Sequence, residues 1–488
     1  MSQNSAFKVL QNTVALSVAR VSVPAFSFIF VIFAARLLGV DDFGKFVLAQ
    51  TFFLLFLSLS VAGVNTIITR EMARKPLWLN RYLSASTVLV TLLVAISNVI
   101  LFLIAMLSNY DTDTRMAIYL VGIALFPAAM NLVSESAFVA FEKAFYVTYG
   151  TIFENILRVA LSIIALYQGY GIVALFAILA ITRTMSLLFY ILFLNLHITR
   201  VAWLFEGSFF KQLVREWIVF ALENWIFNIY YRINIVFLSI FGGTRLVGIY
   251  GAAEKILQPA SVLSTSFTGA IFPYFSRVFE ESRQQFQKIS ETSLKYLFAI
   301  ALLGVILTIT LADRIILWLF TAEYAGAIQI LQVLILAQIP DLLKNLLSHI
   351  LFARNEQKRA LHIAIATLIL KLLLCIVLIP KWGGMGAAWA LFLSELTSSG
   401  LYFYFVLPKA RVIPMFWTFV RMVPAGVGIS IFILVFQEVH LVPLLSGAIV
   451  GYGLLILSFG VVTTSDMHFV QELAQHGRQW VAGTRRQA

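Results

Sequence analysis

The feature that most restricts this chain is a succession of long, uninterrupted apolar runs, of which residues 88–107 and 361–379 are examples. Each approaches the roughly 20 residues an α-helix needs to cross the hydrocarbon of a bilayer. In lipid every backbone N–H and C=O must be satisfied internally, so only helices or closed β-barrels cross. A barrel would show segments of about ten residues alternating apolar and polar, and these runs do not alternate. Composition agrees: 61% of the 488 residues are hydrophobic and 12% charged, against about half and a quarter in soluble domains. The chain is expected to be an all-α integral membrane protein.

Fourteen hydrophobic spans are expected, at residues 8–38, 44–69, 82–108, 115–140, 145–168, 171–196, 216–241, 246–275, 292–312, 325–352, 360–380, 384–407, 414–437 and 441–463. An even number puts both termini on one side. With the N-terminus cytoplasmic, the connections on that side collect 20 Lys and Arg and those on the other side 6. That asymmetry is the positive-inside bias, so the expected topology is N-in, C-in. It accounts for most of the formal charge of +12 without a nucleic-acid partner, which would need a basic face on a soluble element. The first run exceeds the h-region of a signal peptide, about 7 to 15 residues, and is expected to stay as a helix. The single Cys375 cannot form an intramolecular disulfide. Residues 203–217 and 465–480 are amphipathic and read either as interfacial helices or as plain linker and tail.

The sequence also repeats. Gly39-Val-Asp-Asp-Phe-Gly44-Lys-Phe46 follows the first span, and Gly243-Thr-Arg-Leu-Val-Gly248-Ile-Tyr250 follows the seventh, 204 residues later. Tyr170-Gly171 is matched by Trp382-Gly383 at an offset of 212, and Arg158 by Lys371 at 213. Six spans separate the copies, an even number, so both halves have the same membrane orientation. Parallel repeats of this kind are a known plan of secondary transporters. The expected domains are therefore an N-terminal lobe over 1–200, an interfacial linker over 201–215, a C-terminal lobe over 216–410, two extra spans over 411–463 and an amphipathic tail over 464–488.

Apart from those at span ends already counted with the connections, nine basic residues fall inside the spans: Arg20, Arg158, Arg183, Arg232, Lys255, Lys295, Lys344, Lys371 and Arg421. Lys295 and Arg421 lie near span ends and can snorkel. At the centre of an inserting helix a charge costs about 2.5 to 3.5 kcal/mol, so the others must face protein or a water-filled cavity. Glu135, Glu154, Glu223, Glu254, Asp341 and Glu395 are the acids available to them. Glu154 and Arg158 stand at i, i+4, which leaves self-neutralisation within one helix as open as a cavity role. Asn224, Asn228 and Arg232 make one polar stripe at helical spacing, and Glu254 and Gln258 begin another. The excess of Arg suggests an anionic cargo, because the guanidinium fork suits phosphate and stays charged in a dry site. Pro24, Pro127, Pro259, Pro340 and Pro424 lie inside spans and could kink them.

Ala35-Arg36-Leu-Leu-Gly39-Val-Asp-Asp-Phe-Gly44, then Thr69-Arg70-Glu71, Tyr231-Arg232-Ile233-Asn234, Val247-Gly248-Ile249-Tyr250-Gly-Ala-Ala-Glu254-Lys255, Pro273, Leu319-Phe320-Thr-Ala-Glu323-Tyr324-Ala325 and Trp382-Gly-Gly-Met-Gly-Ala-Ala388 occur in this order. Together they resemble the polysaccharide flippases of the O-antigen type, within the multidrug/oligosaccharidyl-lipid/polysaccharide exporter superfamily. The resemblance implies a bacterial inner-membrane protein that moves undecaprenyl-diphosphate-linked oligosaccharide to the outer leaflet. It also implies two six-helix lobes around a cationic cavity and alternating access, and leaves open work beside a polysaccharide polymerase or chain-length partner. Many members carry Asp where this chain has Asn234, which undercuts ion coupling at that position.

On that reading Arg20, Arg232 and Lys255, aided by Arg158, Arg183 and Lys371, attract the diphosphate. Asn224, Asn228, Tyr230, Tyr231 and Gln258 contact the glycan, while the polyprenyl tail stays among membrane lipid. Glu223 and Glu254 are candidates for ion coupling. No cofactor or metal is expected. The alternatives are a cation-coupled multidrug exporter of the same superfamily, and a membrane glycan polymerase or ligase. The second needs a large external loop or a catalytic constellation, and the six histidines are scattered without metal or triad spacing.

Overall fold

The computed structural model describes residues 3–198, 202–407, 409–436 and 438–460, and among them it is helical with no strand. Among the described residues ten helices are long and apolar enough to cross a membrane, and a shorter apolar one follows at Pro443–Ser458. Three of the ten are bent at a glycine and hold two spans each, so among the described residues each of the fourteen expected spans falls mainly on helix. The protein is a multi-pass membrane protein. It is built of two compact units, one reaching to Gly251 and one beginning at Ala252.

The first unit contains α1 (Gln3–Val61), α2 (Val64–Arg74), α3 (Leu79–Leu107), α4 (Thr112–Ala140), α5 (Ala144–Tyr167), α6 (Ile172–His197) and the first part of α7 (Gly207–Glu281). α4 packs against α3 and α6, and α1 against α4 and α5. α1 and α7 are each two rods joined at a sharp corner. The corners are Gly39 (φ 71, ψ 174) and Gly243 (φ 75, ψ 178), a backbone region open essentially only to glycine. The 204-residue repeat therefore appears in the backbone itself. Asp111 caps α4 by accepting from the Thr114 N–H at 3.1 Å.

α7 is tied to the preceding spans by indole N–H groups. Trp217 Nε1 donates to the Ala62 carbonyl at 2.7 Å and Trp225 Nε1 to the Leu59 carbonyl at 3.2 Å. The amphipathic segment at 203–217 runs from the stretch before α7 into its first turns. Its apolar side chains Phe209, Leu213 and Trp217 are buried on protein, and Phe209 sits edge-on to Tyr82. The amphipathic tail after residue 464 lies outside the described residues.

The second unit continues α7 and adds α8 (Arg283–Thr310), α9 (Ala312–Leu319), α10 (Ala327–Leu336), α11 (Gln338–Ala353), α12 (Gln357–Val406), α13 (Lys409–Val420), α14 (Val423–Val435) and α15 (Leu441–Ser458). One core joins Phe275, Phe286, Leu346, Leu347 and Ile350. Another packs α14 and α15 against α8 through Met422, Ala425, Ile429 and Ala448, and the Tyr452 hydroxyl donates to the Ala299 carbonyl at 2.9 Å.

Two of the expected proline kinks are where the tenth and thirteenth spans break. A proline clashes with the carbonyl four residues before it. For Pro340 that is Leu336, where α10 ends, and for Pro424 it is Val420, where α13 ends. The other corner, Gly383 (φ 53, ψ −127), bends α12. Its sequence match Gly171 is merely the extended N-cap of α6, and the left-handed residue in that turn is Gly169.

Candidate functional site

In the first unit, three helices present polar side chains to one another inside the apolar bundle. α4 contributes Asn131 and Glu135, α5 contributes Glu154, Asn155 and Arg158, and α6 contributes Arg183 and Tyr190. The spacings i, i+4 on α4 and α5 and i, i+7 on α6 each fall on one face. Arg183 Nη1 pairs with Glu154 Oε2 at 3.0 Å, and Asn131 donates to the Arg183 carbonyl at 3.2 Å. The Tyr190 hydroxyl donates to the Val147 carbonyl at 3.3 Å and lies beside the Glu135 carboxyl. The i, i+4 neighbours on α5 do not simply neutralise each other: the Glu154 carboxylate reaches Arg183 on the next helix, and Arg158 Nη2 donates to Asn155 Oδ1 at 2.6 Å. Glu154 and Asn131 are buried, yet among the described residues Glu154 Oε1, Asn131 Oδ1 and Arg183 Nε have no hydrogen-bond partner. Unsatisfied atoms of this kind store free energy that a water, a proton or a ligand group can release.

The second unit carries a matching cluster at the matching place. Lys344 Nζ on α11 lies 2.9 Å from Asp341 Oδ1 and 2.6 Å from Glu395 Oε2 on α12. Lys371, fully buried at 0% exposure, stands within electrostatic reach of Glu395, Lys344 and Glu254. Glu395 is 212 residues after Arg183, and Lys371 is 213 after Arg158. The repeat thus preserves where a charge is buried and reverses its sign at one of the two positions. Asn131, Asn155 and Tyr190 are not conspicuous in the sequence; the i, i+3 step from Asn155 to Arg158 is the available signal.

The polar stripe on α7 is present but partly turned onto its own helix. Asn224 Nδ2 donates to the Phe220 carbonyl at 3.0 Å and Asn228 Nδ2 to the Asn224 carbonyl at 2.9 Å. Tyr230 is buried and meets the half-buried Tyr231 edge to face at 5.4 Å. Arg232 is half-buried, and Asn234, buried one turn of helix from Tyr230, donates to the Tyr250 hydroxyl at 2.8 Å across the Gly243 corner. In the second unit Lys255 is buried, Glu254 half-buried and Gln258 exposed. The side chains of Arg20 and Glu223 lie outside the described residues. Among the described residues no three His, Cys, Asp or Glu side chains gather to hold a metal ion.

The two copies of the glycine motif meet each other. A Cβ on Gly44 would collide with the Thr244 carbonyl and approach the Gly248 nitrogen to 2.9 Å; a Cβ on Gly248 would collide with the Val40 carbonyl and approach the Gly44 nitrogen to 3.1 Å. Beside them Asp41 and Arg245, again 204 residues apart, form an ion pair at 2.8 Å. Equivalent residues touching one another are what a local two-fold relation between the copies produces.

Residues 9–279 match the polysaccharide biosynthesis protein family, and residues 220–377 match the MatE family. The chain belongs to the polysaccharide biosynthesis protein family. No curated protein matches its sequence. Among solved structures, the lipid II flippase MurJ in an inward closed conformation is similar over 94% of this chain and 99% of that one, with a TM-score of 0.74 and 14% identity. An inward-facing multidrug resistance MATE transporter of the MOP superfamily is similar over 82% and 98%, with a TM-score of 0.68 and 15% identity. A MOP-superfamily transporter from Pyrococcus furiosus follows at 84% and 96%, with a TM-score of 0.58 and 16% identity. The fold is that of the MOP-superfamily transporters. For a member of the polysaccharide biosynthesis protein family, the two buried charge clusters are thus parts of a transporter fold.

Proposed function

We propose that the protein is a flippase that carries an undecaprenyl-diphosphate-linked oligosaccharide, such as an O-antigen or other surface-polysaccharide repeat unit, from the cytoplasmic to the outer leaflet of a bacterial inner membrane. The observation that carries this reading is the family match over residues 9–279 in a chain that keeps Lys255 and Lys371 buried inside its helices. A diphosphate cannot enter hydrocarbon alone, and fixed cations in a low-dielectric bundle replace its hydration shell. In this reading Arg20, Arg232 and Lys255 receive the diphosphate, while Arg158, Arg183 and Lys371 support them. Glu154 holds Arg183 in the empty protein and yields it to the cargo, so Arg183 has an anionic partner at either stage. Asn224, Asn228, Tyr230, Tyr231 and Gln258 offer amide and hydroxyl groups to the glycan. The polyprenyl chain remains in lipid, and Glu223 and Glu254 couple transport to an ion.

The cytoplasmic orientation of both termini follows from the 20-to-6 division of basic residues. Lobes built from the two sequence halves alternate between inward and outward access, and a polysaccharide polymerase or chain-length protein takes over the product. The test is Arg232→Ala. Insertion stays intact, export of the glycan stalls, and the lipid-linked unit accumulates on the cytoplasmic leaflet; normal export in that variant refutes the role of Arg232. A second reading, a cation-coupled multidrug exporter, draws on the MatE match over 220–377 and on the buried carboxylates Glu154 and Glu395. It predicts drug sensitivity, with no lipid-linked sugar accumulating, when the protein is absent.

A further inference from the structure

In the first unit, apolar side chains are exposed on two segments that the membrane core does not explain. One is the connection between α2 and α3, where Leu77 is 98% exposed beside Trp78. The span that follows, 82–108, already exceeds the roughly 30 Å of hydrocarbon at 1.5 Å per residue, so Leu77 stands beyond it. The other is the non-helical stretch before α7, where Trp203, Leu204 and Phe205 are exposed in succession. Irregular backbone facing lipid is excluded from hydrocarbon, which places this stretch at headgroup level.

The fold holds these two segments together. The Leu204 N–H donates to Ser84 Oγ at 2.9 Å, Arg81 pairs with Glu206 at 3.6 Å, and Trp78 meets Phe209 at 6.0 Å. Cations surround the aromatic tip: Lys75 and Arg81 lie over the Trp78 ring at 5.1 and 5.0 Å, and Arg74 is 68% exposed. An indole at the interface flanked by exposed cations suits a phosphate bound above acyl chains.

We propose that this surface is a binding site for the headgroups of anionic phospholipid, which pin the connection between the first six spans and α7 to one leaflet. Trp78, Trp203 and Leu77 lie among the headgroups at the boundary with the acyl chains, while Arg74 and Lys75 hold the phosphate. The segments involved share no residue with the proposed cargo path, so the site stands whether or not the cargo is a glycan lipid.

The experiment uses the full chain reconstituted in vesicles of phosphatidylcholine containing a minor fraction of brominated phosphatidylglycerol or brominated phosphatidylcholine, with tryptophan quenching as the readout. Brominated phosphatidylglycerol should quench more strongly. The excess should vanish in a Trp78→Phe/Trp203→Phe variant, and the apparent affinity should fall about fivefold for each of Arg74→Gln and Lys75→Gln. Thermal unfolding midpoints equal to the parent's confirm that these variants fold. Equal quenching by the two lipids overturns the proposal. So does displacement of the excess by trace polyprenyl diphosphate, which would assign the surface to cargo instead.

Discussion

Replacing Gly44 by alanine tests whether the meeting of the two glycine motifs is as tight as its geometry states. The added Cβ would stand 2.7 Å from the Thr244 carbonyl carbon, where ordinary contact begins at 3.4 Å. The two helices must therefore separate by about 0.7 Å, and further to clear the carbonyl oxygen. The obstruction is backbone, which cannot turn aside as a side chain can. Overpacking of this kind costs about 1 to 3 kcal/mol, and alanine returns at most about 1 kcal/mol in helix propensity; a backbone obstruction puts the cost at the upper end, leaving a net loss of up to about 2 kcal/mol. Gly304 in α8 is the control, because a Cβ there meets nothing within 4 Å, so Gly304→Ala should stabilise by up to about 1 kcal/mol. Cys375 is the only cysteine and is fully buried. A thiol-reactive dye therefore reports unfolding of purified protein in detergent without further engineering. The expected order of unfolding midpoints is Gly304→Ala above parent and parent above Gly44→Ala. A Gly44→Ala protein as stable as the Gly304→Ala protein would refute the close approach.

Two further predictions concern charge. Glu395→Gln leaves Lys371 fully buried and removes one of two carboxylates from Lys344; the loss should be about 3 to 5 kcal/mol, with partial recovery when Lys371→Met is added, measured by the same dye. Although burial raises the Asp111 carboxyl, hydrogen bonds from Lys45 and Thr114 hold it below its ordinary value. Its contribution to stability is then complete above the unfolded-state pKa and is lost as pH falls through the lower folded-state value. The midpoint of the parent should drop relative to Asp111→Asn only in that acid window, and parallel pH profiles of the two proteins would contradict the assignment.

The helices are legible because the hydrocarbon core imposes a length and an apolar composition on every crossing, and no tertiary contact is needed to read either. The prolines at 340 and 424 are legible for a similar local reason, since each acts on a carbonyl four residues away. Segment 203–217 is plainly amphipathic in sequence, but an apolar face of that kind can meet lipid or protein. Phe209, Leu213 and Trp217 face protein, which only the position of α3 and of the Ala62 carbonyl decides.

The candidate residues divide in the same way. Which spans carry buried charges, and the offsets of 204 and of 212 to 213 that relate them, follow from the sequence alone, because expense in lipid makes each such residue conspicuous. Which charges pair does not. Glu154 has Arg158 one turn away on its own helix and takes Arg183 from the next, since a carboxylate goes where the donor geometry is best and that depends on how α5 and α6 face each other. The same holds for Gly44 and Gly248: periodicity reveals two copies of one motif, and only the folded chain brings them into contact, because a close approach of two backbones is a property of helices packed in space.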